Sequence, residues 1–238
     1  MGEATRKNSD LGVRTLSAFV MVAIAGGALW LGGWYWVGFV GLIAVAVLLE
    51  WKSLASKIAR SRFSLAIWLL AGVLYIGFAG AVLVYLRGEV QGVVLIALLA
   101  AVVGVDVGAY FLGRLLGGPK IAPAISPSKT WAGLLGGVIG AIGVPALLLH
   151  LVFAPSLFEE NLRGLAIGEG LLVTLVLGIG IAVVAQSGDF FESWMKRRAG
   201  VKDSSSLIPG HGGVFDRTDG LLAVAFVAGA VGLLVGIV

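Results

Sequence analysis

The chain has 238 residues, 59% hydrophobic and 13% charged, with a mean hydropathy of +1.03 and a formal net charge of +4. Its apolar residues fall in blocks rather than in alternating or striped patterns, which excludes a soluble globular domain and marks an integral membrane protein. The absence of cysteine removes disulfide and thiol chemistry, and because the basic residues lie between apolar blocks, the pI near 9.6 points to lipid headgroups or nucleotide phosphates and not to nucleic acid.

Residues 1–14 form a polar, basic arm with Arg6, Lys7 and Arg14, followed by an apolar run. Ala23-Ile24-Ala25 resembles a signal-peptide cleavage site, but the run continues unbroken through Trp30 and Leu31, as a first span does. Gly32-Gly33-Trp34-Tyr35-Trp36 reads as a tight interfacial turn with an aromatic belt. The second span, 37–49, ends at Glu50-Trp51-Lys52, and Lys57, Arg60 and Arg62 form a polar loop. A third span covers 63–86 and stops at Arg87-Gly88-Glu89; a fourth, 90–112, carries Asp106 near its end. The loop 114–130 holds Lys120, Lys129 and three prolines. Spans five and six, 131–153 and 165–187, are separated by a short loop with Glu159, Glu160 and Arg163. A last span, 221–238, ends the chain. The fold class is therefore all-α, a polytopic membrane bundle of about seven spans, expected as a single membrane-embedded catalytic domain over 1–238.

An odd number of spans puts the termini on opposite sides. Of the 17 Lys and Arg, only Arg87 and Arg163 fall on one side, leaving fifteen on the other. By the positive-inside rule the fifteen face the cytoplasm, together with the arm 1–14 and the polar stretch 188–220. Overlapping GxxxG pairs, Gly133 with Gly137 and Gly136 with Gly140, and a further pair, Gly232 with Gly236, serve either close helix packing within the chain or a homodimer face.

Three constellations sit at the basic side. Asp106 shares a helix face with Ala109, Tyr110 and Gly113; at depth it needs a partner or a cavity, and lying shallow it pairs with Arg114. In Ile125-Ser126-Pro127-Ser128-Lys129-Thr130-Trp131, Ser128 or Thr130 caps the next helix, or the hydroxyls and the Lys129 ammonium cradle a phosphate at its N-terminus. The third is the stretch 188–220, the longest polar interruption. Asp189, Glu192, Ser193 and Lys196 fall at i, i+3, i+4 and i+7, one face of a helix. Lys196, Arg197, Arg198 and Lys202 make a cationic run. Topology explains the cations but not Asp189, Asp216 and Asp219. If these carboxylates approach to about 4 Å, each pair repels by roughly 4 kcal/mol at an effective dielectric near 20, so a cation must hold them. Oxygen-only ligands favour Mg²⁺ over Zn²⁺. His211, in the turn Pro209-Gly210-His211-Gly212-Gly213, has three readings: a phosphate ligand, a base or a structural turn residue. His150, alone among leucines, reads as a packed bystander.

At these residues the sequence resembles the phosphatidate cytidylyltransferases, or CDP-diacylglycerol synthases. The signature is matched in order by Ser193, Lys196-Arg197, Lys202-Asp203, Pro209, His211-Gly212-Gly213, Asp216-Arg217 and Asp219. Asp106-Val107-Gly108-Ala109-Tyr110 with Gly113-Arg114, Ser126-Pro127-Ser128-Lys129-Thr130 with Gly133, and Glu50-Trp51 are also family-like, so the resemblance covers nearly the whole chain. The chain is shorter than many bacterial members, which carry an additional membrane hairpin between the Glu-Trp element and the Asp-containing span.

The resemblance implies transfer of the cytidylyl group of CTP to phosphatidate in the bacterial cytoplasmic membrane, with the site facing the cytoplasm. It assigns Mg²⁺, with a second cation, to Asp189, Asp216 and Asp219, and catalysis to these with Lys196. Substrate contacts fall to Arg197, Lys202, His211 and Arg217, and to Ser126, Lys129 and Thr130 as a second cradle; Asp106, Glu192 and Ser193 are further candidates. A CTP-dependent polyprenol or phytol kinase is the nearest rival. An ion or phosphate transporter is a more distant one, since the paired repeats and broken helices of transporters are not found.

Overall fold

The computed structural model describes residues 2–88, 92–153 and 169–236. Glu89, Val238 and the loop with Glu159, Glu160 and Arg163 lie outside them. Among the described residues, seven helices are long and apolar enough to cross a membrane: α1 Gly2–Leu31, α2 Gly33–Ile58, α3 Arg62–Gly88, α4 Val93–Leu116, α5 Trp131–Phe153, α6 Glu169–Arg198 and α7 Phe215–Leu234. Chains of Val, Ile and Gly that would be poor helix formers in water become helical here, because lipid offers the backbone no other hydrogen-bond partner.

Span five has the expected bounds, 131–153; the others run on at their polar ends. The arm 2–14 is helical from Gly2. Past the expected end at 49, α2 continues to Ile58, because Trp51, Leu54 and Ala55 keep an apolar stripe at helical spacing and are buried. Lys57 thus lies in its last turn, where a cation favours the helix dipole, and not in a loop. Likewise α6 extends to Arg198 and α7 begins at Phe215. Both ends of the stretch 188–220 are therefore helical, and only 199–214 connects them. The expected loop 114–130 is also structured: α4 reaches Leu116, then β1 (Lys120–Ala122) pairs antiparallel with β2 (Ser126–Thr130), Lys120 opposite Thr130 and Ala122 opposite Ser126. Pro127 is tolerated within β2 because each strand of a two-stranded sheet has an open edge.

The turn between α1 and α2 is the single residue Gly32, at φ 62°. A Cβ there would lie 2.8 Å from Arg87 Nη2, while Arg87 Nε donates to Leu29 O at 3.1 Å and caps the end of α1. Trp34 and Tyr35 are exposed, as the aromatic belt requires. Trp36 departs from that reading: it is buried and donates from Nε1 to Leu83 O at 3.0 Å, tying α2 to α3.

The helices form two compact units, Met1–Glu89 with Trp194–Val238, and Val90–Ser193. The first is centred on Trp51, whose ring lies 5.8 to 6.0 Å from those of Trp68, Tyr75 and Phe215 and whose Nε1 donates to Trp68 O at 2.7 Å. In the second, α4 and α5 meet backbone to backbone. A Cβ on Gly104 or Gly140 would sit 2.1 or 1.9 Å from the other's carbonyl oxygen, and one on Gly108 or Gly136 would sit 2.0 or 2.2 Å from the other's. Only glycine permits that approach. The glycine pairs of α5 are thus used for packing within the chain.

Candidate active site

In the first unit the helix α6 ends on Gly200 at φ 70°, with Val201 N donating back to Lys196 O at 3.0 Å. The segment that follows folds onto two carboxylates. Asp216, in the first turn of α7, accepts Lys196 Nζ at 2.6 Å on Oδ1, and on Oδ2 accepts Ser204 N at 2.9 Å, Gly213 N at 2.8 Å and Ser204 Oγ at 2.9 Å. The Lys196 and Asp216 side chains are 15% and 5% exposed. An ion pair so desolvated persists only if its remaining polar atoms are satisfied, and here backbone amides do this.

The second carboxylate is Glu50, for which sequence reading assigned no role beyond its likeness to the family. It is 5% exposed. Its Oε1 accepts Ser205 Oγ at 2.6 Å and Val214 N at 2.9 Å; its Oε2 accepts Phe215 N at 2.7 Å and Ser204 Oγ at 2.9 Å. Glu50, from α2, thus caps the N-terminus of α7, whose own N-cap Val214 has no capping side chain. The legible signal was an ionisable residue at the end of the apolar run Val45-Ala46-Val47-Leu48-Leu49: such a residue demands partners.

The turn 208–212 is closed by a bridge between Ile208 and Gly212, with Gly210 and Gly212 at positive φ. Ser17 of α1 donates to Pro209 O at 3.0 Å and lies 2.9 Å from His211 Nδ1. Arg217 clamps His211 O through Nε and Nη2 at 3.1 and 3.0 Å. The His211 ring edge thus lies against Ser17 of α1, with its carbonyl held by Arg217. Arg197, Lys202 and Arg217 are exposed, and Arg198 stacks 5.4 Å over Trp194. Asp219, one turn beyond Asp216, accepts Gly220 N at 2.9 Å.

In the second unit Lys129, on β2, pairs with Asp189 Oδ2 at 2.5 Å and lies 5.0 Å over the Phe190 ring. Ser193 donates to Asp189 Oδ1 at 3.3 Å, one helical turn on. Thr130 Oγ1 accepts Gly133 N at 3.0 Å, the helix cap expected of it. Ser126 is buried, 3.5 Å from Ser128 Oγ. Glu192 is buried at 1% exposure. Asp106 is exposed, and Arg114 donates to Tyr110 OH at 2.8 Å.

Among the described residues, no three His, Cys, Asp or Glu side chains form a group placed to hold a metal. The donor chemistry nonetheless fits a hard cation. Asp189 and Asp216 offer carboxylate oxygen, and each already holds a positive charge, the ammonium of Lys129 and of Lys196 respectively.

The sequence resembles those of known proteins. The model of the cytidylyltransferase family matches residues 59–235. A phosphatidate cytidylyltransferase of Brucella suis biovar 1 is 43% identical over 192 residues, 79% of this chain and 62% of that protein. One from Rickettsia bellii is 35% identical over 222 residues, 92% of this chain and 90% of that protein, and one from Haemophilus influenzae is 42% identical over 118 residues, 50% and 38% of the two. This chain spans less than two thirds of the Brucella and Haemophilus relatives and nearly all of the Rickettsia one. The family match takes in α3 to α7 and both carboxylate–ammonium pairs, and on that extent the chain belongs to the cytidylyltransferase family.

Proposed function

We propose that the protein transfers the cytidylyl group of CTP to phosphatidate, giving CDP-diacylglycerol and pyrophosphate. The observation that carries this reading is the part-buried Lys196–Asp216 pair, flanked in the chain by exposed Arg197, Lys202 and Arg217 in a sequence similar to named phosphatidate cytidylyltransferases. An oxygen of the lipid phosphate forms a bond to the α-phosphorus of CTP, the bond from that phosphorus to the β-bridging oxygen breaks, and pyrophosphate leaves with the electron pair. The nucleophile is ionised at neutral pH, so the rate comes from alignment and charge neutralisation and needs no strong base.

Arg197, Lys202 and Arg217 bind the triphosphate as exposed cations, with Arg217 also fixing the His211 turn. Lys129, with Ser126 and Thr130 on the same strand, is the second phosphate cradle. Asp189, Asp216 and Asp219 would hold Mg²⁺, accompanied by a second cation, and the metal would supply charge neutralisation on the phosphates. The decisive assay uses purified protein, phosphatidate or a polyprenol, Mg²⁺ and CTP labelled at one phosphate. Label from the α-phosphate is expected in the lipid made from phosphatidate; label from the γ-phosphate entering the prenol would establish a kinase instead.

The fifteen-to-two distribution of Lys and Arg supports a cytoplasmic site in a bacterial inner membrane. A reporter active only in the cytoplasm is expected to be dark when fused at Val238; a bright signal there reverses the topology.

Lys129→Ala is expected to reduce kcat/KM by about tenfold or more, the loss of one charge-assisted contact worth roughly 1.5–3 kcal/mol, with the protein still folded. Steady-state kinetics for CTP and phosphatidate measure it, and unchanged values for both return Lys129 to a topological role.

A further inference from the structure

We propose that Glu50 is a positioning residue for the reaction: it fixes the segment 204–215 and through it the placement of Asp216. This rests on the reading above that Asp216 belongs to the reaction centre. Glu50 lies upstream of the family match, which begins at residue 59, so the match assigns it nothing.

The argument is one of shared atoms. Each oxygen of the Glu50 carboxylate has two donor groups within hydrogen-bond distance, from Ser204, Ser205, Val214 and Phe215, the one Ser204 hydroxyl hydrogen being shared with Asp216. Ser204 is common to both carboxylates, its Oγ lying 2.9 Å from Glu50 Oε2 and 2.9 Å from Asp216 Oδ2. Gly213 is common to them too. Its amide donates to Asp216, and a Cβ on it would sit 2.7 Å from either Glu50 oxygen and 2.0 Å from Ser204 Oγ. Asp216 follows directly on Phe215 and Val214, whose amides Glu50 holds. A local helix cap needs one such bond, and a capping side chain ordinarily comes from the N-cap residue itself. Here a buried carboxylate from a helix more than 150 residues away in sequence supplies all four acceptor positions. The carboxylate requires only donors facing it, whereas an amide at the same place turns its NH₂ toward a backbone N–H on one side, Val214 or Phe215, and loses that bond; the serine hydroxyl on that side can rotate to accept. Glu50 touches no substrate in this scheme; it acts through Asp216 and the Lys196 that Asp216 holds.

The test compares Glu50→Gln, Glu50→Asp and Gly32→Ala with the unchanged protein in detergent micelles. Gly32→Ala strains the far end of α2 and serves as a stability control. Amide hydrogen exchange, kcat and KM for CTP and phosphatidate, the Mg²⁺ concentration giving half-maximal rate, and melting temperature are measured. Faster exchange confined to peptides covering 203–216 is expected in Glu50→Gln. It should accompany a kcat at least about tenfold lower, a raised Mg²⁺ requirement and little change in KM for phosphatidate, at a melting temperature no lower than that of Gly32→Ala. Glu50→Asp, which keeps the charge but retracts it, should recover part of kcat and part of the exchange protection. Unchanged exchange over 203–216, or kcat and Mg²⁺ dependence equal to those of Gly32→Ala, overturns the assignment. Should Glu50→Gln fail to fold, the same readouts on Glu50→Asp decide it. If the unchanged protein transfers no cytidylyl group to phosphatidate, the proposed function fails separately, and the exchange data alone judge whether Glu50 orders the segment.

Discussion

Asp216→Asn is expected to lower turnover by about two to three orders of magnitude, the scale on which removing a preorganised electrostatic element acts. Asn matches the shape of Asp216 but not its acceptor capacity. Oδ1 faces the Lys196 ammonium and Oδ2 faces two amides and a hydroxyl, so an amide NH₂ on either side confronts a donor. Removing one member of a buried ion pair also leaves the other uncompensated, at about 3–5 kcal/mol. The melting temperature should therefore fall along with kcat, and the Mg²⁺ dependence should shift. Asp189→Asn, which leaves Lys129 without its counter-charge, and Asp219→Asn are expected to change Mg²⁺ dependence in the same direction. Turnover and Mg²⁺ dependence are read together for the three variants. Near-normal values in all three would move the metal elsewhere, with Asp106 and Glu192 the next carboxylates to test.

The largest purely structural effect is expected from Gly140→Ala. Its Cβ would lie 1.9 Å from the carbonyl oxygen of Gly104, and a backbone atom of a packed helix cannot swing aside as a flexible side chain does. The helices α4 and α5 must separate, losing the van der Waals contact on which helix association in lipid depends. Overpacking commonly costs about 1–3 kcal/mol and here should lie at the upper end or above. Gly104→Ala should cost a similar amount. The double variant should cost less than the sum, because one separation relieves both clashes. Gly143, on the same helix, has nothing within 4 Å of a prospective Cβ, and Gly143→Ala should melt within about 0.5 kcal/mol of the parent. Equal melting of Gly140→Ala and Gly143→Ala would show that α4 and α5 do not approach as closely as described.

The spans were legible in the sequence because lipid imposes one requirement everywhere: apolar side chains over a fixed length with the backbone satisfied internally. Their ends were less so. Hydropathy stops counting at Glu50 and at Ser187, yet the hydrogen-bond ladder continues through Trp51 and Asp189, since polar residues leaving a membrane have no reason to abandon a helix. The short hairpin of β1 and β2 was hidden by prolines that usually mark loops. Residue type and spacing correctly suggested one helical face for Asp189, Glu192, Ser193 and Lys196, and α6 carries all four. Glu192 is nevertheless buried, which helical spacing alone does not determine. Glu50 escaped for a different reason: its partners are 154 to 165 residues away, beyond any local pattern.

That separation also has a meaning for how the protein is made. Chain growth at about 5–20 residues per second puts roughly 8–33 s between the emergence of Glu50 and that of Val214 and Phe215. During this interval α1, α2 and the helices after them enter the bilayer while the carboxylate waits for the amides that will enclose it. Water at the membrane edge has to solvate Glu50 in the meantime. The sequence meets this need by placing it where the apolar run of α2 ends and the polar extension with Lys52 and Lys57 begins. Closure over Glu50 is thus a late event of biogenesis: the hydration it needs at the start gives way to burial only when the last helix arrives.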